Sequence, residues 1–104
     1  MSMTQAKQSL DFRLLGRWIS DPADRRQENE FTSFEFLEDG SLTYTVHGCE
    51  KNQVMLLRFR TEAGTIISEQ ESSPREERTP YSFSADGNLM LLYGGELSTY
   101  VRAD

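Results

Sequence analysis

Glycine-marked turns recur down this chain, at Asp39-Gly40, Ala63-Gly64, Asp86-Gly87 and Gly94-Gly95. Each lies between two segments of strand-like composition. An Asp-Gly pair between alternating apolar and polar runs is among the stronger local signals for a β-hairpin. Phe31 to Leu37 and Leu42 to Val46 flank the first turn, Gln53 to Thr61 and Thr65 to Ser72 the second, and Thr79 to Ala85 and Leu89 to Tyr93 the third. Glu96 to Arg102 follows the last turn, and Arg17 to Ser20 precedes the whole series. No helical pattern separates these segments, which excludes a plan of parallel strands joined by crossover helices.

The expected fold is therefore all-β: a small eight-stranded antiparallel up-and-down meander. A flat meander would leave two long edges and a broad apolar face exposed, and closing it into a barrel removes the edges. The chain has 104 residues, which suits one domain. Residues 1–15 are expected to form an N-terminal helix and 16–104 the barrel. For the helix, Ala6, Leu10 and Leu14, with Phe12 beside them, give a loose helical stripe, Thr4 is a candidate N-cap and Gly16 a stop signal. So short a helix needs a docking surface, and a lid or plug over one end of the barrel supplies it. Asp21-Pro22 ends the first strand, and the polar stretch Asp24 to Glu30 reads as a flap beside a pocket mouth. Ser73 to Arg78 reads as an exposed connection.

The net charge of −6 sets limits on partners. An acidic surface repels nucleic acid unless its basic residues cluster. Here Arg25-Arg26 is followed by Glu28 and Glu30, and Arg75 and Arg78 flank Glu76-Glu77. No nucleic-acid partner is expected. Met1 is followed by a polar stretch, and no segment approaches the ~20 apolar residues of a membrane span, so no membrane association is expected either. Cys49 is the single cysteine, so no intrachain disulfide forms. The expected location is cytoplasmic.

No catalytic constellation is visible, and neither an enzyme nor a cofactor is expected. His47 and Cys49 lie two residues apart, yet there is no second His or Cys to complete a metal site or a nucleophilic triad. They read as residues of a surface turn. Glu35, between Phe34 and Phe36, should face solvent, and Glu69 is read as solvated. The aromatic residues are more informative. Period-two reading places Phe34, Phe36, Tyr44, Phe59, Tyr81, Phe83 and Tyr93 on inner faces, as core or as the lining of a pocket. Inward tyrosine hydroxyls require hydrogen-bond partners, which a polar ligand group or water would provide.

A short helix, then Gly16-Arg17-Trp18 opening the first strand, a run of hairpins and an arginine ending the last strand together resemble the lipocalin and wider calycin group, and in particular the compact lipocalin-like domains of bacteria. The resemblance implies that Trp18 sits at the closed end of the barrel with Arg102 packed across it. Gly16, Trp18 and Arg102 would then be the closure residues. A guanidinium over an indole face gains roughly 0.5–2 kcal/mol and would tie the first strand to the last. The fatty-acid-binding branch of that group holds a carboxylate with an Arg and a Tyr two apart on a late strand. Tyr100 and Arg102 have that spacing in reverse order, but closure already engages Arg102.

Two functional readings follow. In the first, an aromatic-lined pocket binds a small apolar or amphipathic ligand, oriented by Tyr44, Tyr81, Tyr93 or Arg102. In the second, a filled barrel acts as a protein-interaction or accessory module, or as a homodimer, through an outer strip of Val54, Leu56 and Ile66.

Overall fold

A computed structural model describes residues 10–24, 31–48, 51–70 and 72–103. Eight strands follow one another: β1 (Gly16–Ser20), β2 (Phe31–Phe36), β3 (Ser41–His47), β4 (Asn52–Glu62), β5 (Thr65–Gln70), β6 (Ser73–Phe83), β7 (Leu89–Tyr93) and β8 (Glu96–Arg102). Each pairs antiparallel with its neighbour in sequence, and β1 pairs with β8 to close a barrel. The expected all-β meander barrel is thus the observed fold. Two of the turns share one construction. Gly40 and Gly87 adopt positive φ, and in each case the glycine N–H donates to the carbonyl three residues back, Leu37 and Ser84 respectively. Glycine takes that conformation without the Cβ clash other residues suffer.

The N-terminal helix is a correction. Thr4 and Ala6 lie outside the described residues. What is described is a single 3-10 turn, Phe12–Leu14, capped by Asp11, whose carboxylate accepts from the Arg13 N–H at 3.0 Å. Leu15 is already extended, and Gly16 takes φ 116°, so the chain turns straight into β1. Only Leu14 of the turn is buried; Phe12 is 73% exposed and does not belong to an inward stripe. The turn nevertheless plugs one end, because Leu14 packs into the core with Trp18, Phe36 and Leu89.

A second correction concerns Ser73 to Arg78, which is not a connection but the first half of β6. It pairs with β5 from Gln70↔Ser73 through Ile67↔Arg78, with a register shift near Ser68 and Gln70. The facing strand β5 ends at Gln70, two residues short of the expected Ser72. β6 meets β7 only from Tyr81↔Leu91 to Phe83↔Leu89. From Ser73 to Pro80, β6 has no register partner in β7.

The third correction concerns Ile66. It is 4% exposed and points into the barrel, so it cannot belong to an outer strip. Its neighbour Ile67 faces outward yet is only 1% exposed. It lies in the row between Arg60 and Arg78. Those side chains are tied through Glu76, which receives Arg60 at 3.1 Å and Arg78 at 3.6 Å. The long stems of charged residues cover apolar surface while their heads stay in water. Val54 and Leu56 do face outward on β4 and are exposed.

Candidate ligand-binding cavity

The two ends of the barrel are built differently. At the end where β1 starts and β8 stops, Trp18 is fully buried and its Nε1–H donates to the Leu14 carbonyl at 2.8 Å. The Arg102 guanidinium carbon stands 4.1 Å from the centre of the Trp18 ring. Its two terminal nitrogens donate to the carbonyls of Leu15 at 2.6 Å and Arg13 at 2.8 Å. One side chain therefore covers the indole and satisfies two carbonyls at the 3-10 turn. Gly16 provides the bend that brings those carbonyls within reach.

Asp11 completes this end. It accepts from the Tyr81 hydroxyl at 2.7 Å and is paired with Arg13 at 2.7 Å. The Arg13 hydrogen bond is the largest influence on Asp11, outweighing desolvation, and its carboxyl is held at about 2. Burial, then the hydrogen bond to Asp11, pushes the Tyr81 phenol up to about 12. Phe83 lies between Arg13, 4.6 Å from the ring centre, and Trp18, at a centroid distance of 6.1 Å. Tyr81 and Phe83 thus belong to the plug.

At the other end lies a cavity of about 270 Å³. Phe34, Phe36, Tyr44 and Tyr93 line it, as do Leu57 and Tyr100. Phe34 and Tyr44 stack at 4.7 Å, Tyr100 meets Phe34 edge-on at 5.1 Å, and Phe36 meets Phe59 edge-on at 5.0 Å. These contacts form a ladder of rings running from mouth to core, and Phe59 is its buried foot, outside the cavity lining. Leu42, Met55, Ile66 and Leu91 supply aliphatic wall. Glu77 and Thr79 of β6 and Glu96 of β8 also line the cavity. The Tyr93 hydroxyl on β7 donates to Glu77 on β6 at 3.3 Å. Burial pushes the Tyr44 phenol up, with smaller contributions from Tyr100 and Tyr93. The Tyr44 hydroxyl has no hydrogen-bond partner among the described residues, whereas Tyr100 accepts from Thr32 at 3.3 Å.

Of the seven aromatic residues expected to bind ligand, four reach this cavity, one sits beneath it and two seal the far end. Tyr100, outside that set of seven and expected only as a partner of Arg102, also lines the cavity. Its signal was present, because it shares a strand face with Arg102, two residues on, and that face points inward.

His47 lies on the outer face of β3, stacked on Phe31 at 4.2 Å, with Nε2 2.9 Å from the Ser33 hydroxyl. Burial, then the positive charge of Arg17, lowers its pKa. Of the expected flap Asp24 to Glu30, Asp24 ends a 3-10 turn, Pro22–Asp24, and residues 25–30, like Cys49, lie outside the described residues. Among the described residues no group of three or more His, Cys, Asp or Glu could hold a metal ion. No described helix is long and apolar enough to cross a membrane.

No protein-family model matches the chain, and neither a curated protein nor a solved structure matches it.

Proposed function

We propose that this is a lipocalin-like barrel that binds a small, largely apolar ligand in the cavity between Tyr44, Phe34, Leu57 and Tyr100, and that it acts by binding, without chemistry on the ligand. The observation that carries this reading is the cavity itself. An eight-stranded barrel can be filled entirely by its own side chains, and this one keeps a cavity at the end away from Trp18. A cavity of roughly 150 Å³ already accepts benzene, so 270 Å³ suits one aromatic ring with a short substituent. Aromatic and aliphatic walls with a few polar groups are what small-molecule sites generally present. The closed barrel, the glycine–tryptophan opening of β1 and the arginine over the indole support the lipocalin-like reading.

The test is a titration with phenethyl alcohol followed by methyl NMR. Saturable shifts are expected at Met55, Leu57 and Leu91, with Leu14 unmoved. Leu57→Trp, which places an indole in the cavity, should abolish the shifts while thermal melting stays cooperative. Absence of any saturable shift at millimolar alcohol would sink the reading. Trp18 fluorescence is a poor reporter, since Trp18 is buried at the other end.

The exposed pairs Val54 with Leu56, and Leu92 with its cross-strand partner Leu97, favour a second reading, a protein-interaction module or homodimer built on the outer face. Sedimentation of the wild type against Val54→Lys/Leu56→Lys separates it from the first.

A further inference from the structure

The cavity has a chemical sign. Its lining contains two carboxylates, Glu77 and Glu96, and, among the described residues, no Lys, Arg or His. Both acids belong to the mouth. Glu96 is the cross-strand partner of Tyr93 across the Gly94-Gly95 turn, and Glu77 receives the Tyr93 hydroxyl. Arg102, a residue expected to orient a ligand, lies at the opposite end, over Trp18 and bonded to the carbonyls of Leu15 and Arg13. Below the acids stand the faces and edges of Tyr44, Phe34 and Tyr100.

We infer that the ligand is a small organic cation, a protonated or quaternary amine on an apolar body, with its charged end between Glu77, Glu96 and the tyrosine rings. The inference rests on the binding reading above and deepens it. Three physical effects act in the same direction. The ring faces attract a cation through their quadrupole. The carboxylates attract it by charge. The net charge of −6 raises the local concentration of cations and lowers that of anions. A carboxylate ligand in the same place would meet two like charges and no donor cation.

The size of the cavity sets the probes: phenethylammonium, phenethyl alcohol and hydrocinnamate, which share a phenethyl body and differ in charge. Calorimetric titration of each at low salt is expected to rank the amine about tenfold tighter than the alcohol, with hydrocinnamate weakest. The amine-to-alcohol ratio should fall as salt is raised, because the rim acids are exposed and screened. In Glu77→Gln/Glu96→Gln the ratio should collapse toward one. The charge-matched control Glu35→Gln/Glu38→Gln, on the outer wall and the closed-end turn, should keep it. Thermal melts establish that both variants are folded. If the alcohol or the anion binds as well as the amine, the cation inference falls and the cavity stands. A preference that survives in Glu77→Gln/Glu96→Gln removes the carboxylates from recognition. If none of the three binds, the binding reading itself falls.

Discussion

The two ends of this barrel use the same residue types to opposite effect. At the closed end each polar atom on an aromatic ring has a designated partner: Trp18 donates to Leu14, and Tyr81 to Asp11. At the mouth, Tyr93 donates to an exposed acid, and Tyr44 lines the cavity with no hydrogen-bond partner for its hydroxyl among the described residues. Aromatic residues alone therefore do not distinguish a core from a site. What distinguishes them is whether the polar groups are satisfied by the chain itself. Buried groups are costly to leave unpaired, so the fully paired end is where substitution should cost stability. The mouth is where it should cost binding.

The sharpest way to break this contrast is Trp18→Ala. It removes the largest fully buried side chain and should cost about 3–5 kcal/mol, measured by urea unfolding. Arg102→Ala should follow at about 2 kcal/mol, since it removes both the indole contact and two charged hydrogen bonds. Arg102→Lys should restore little of that, because an ammonium lacks the planar fork that meets two carbonyls while covering a ring. An unchanged urea midpoint for Arg102→Ala would show that the two ends do not differ as described.

The Asp11–Tyr81 pair offers a pH test of the same contrast. Asp11 titrates lower in the folded state than its ordinary 3.8. Its contribution is therefore present above about pH 4 and is lost as pH falls toward 2. Tyr81 titrates higher than its ordinary 10, so its contribution is present below pH 10 and is lost as pH rises toward 12. Tyr81→Phe should flatten the alkaline loss and cost about 1 kcal/mol at neutral pH. Melting temperatures across pH, compared with wild type, read both effects. At the mouth, Tyr44→Phe should change stability by less than ~0.5 kcal/mol while altering ligand affinity. One closed-end position should act with the opposite sign. Ala63 holds φ 47° in the β4–β5 turn, a conformation that disfavours a Cβ, so Ala63→Gly should stabilise by about 0.5–1 kcal/mol.

Much of this architecture was legible from hairpin signals, because turn glycines and period-two alternation are local. The first half of β6 was not. Ser73 to Arg78 has no apolar alternation to read, because it extends past the partner strand β7 and is held by its backbone ladder to β5. Ile66 and Ile67 are adjacent and both buried, one inside the barrel and one beneath the Arg60 and Arg78 side chains. Period two alone cannot describe that. The N-terminal turn departs from the expected helix because Phe12, within the apparent helical stripe, turns its ring to solvent. For the site, alternation tells inside from outside but not depth along the barrel axis. Alternation alone therefore cannot separate Tyr81 and Phe83 from Phe34 and Tyr44, which register places toward opposite ends.

The ladder between β1 and β8 also governs when the protein can become itself. Arg102 and Leu15 are 87 residues apart in sequence, so the contact that shuts the barrel closes a loop of nearly the whole chain and carries the largest loop-closure cost. Local hairpins form quickly and distant pairings slowly. Until β8 arrives, β1 and β7 are bare edges able to recruit strands from other chains. Aggregation during refolding should therefore depend on how fast the last strand docks, and a variant that slows docking should aggregate more even where its final stability is unchanged.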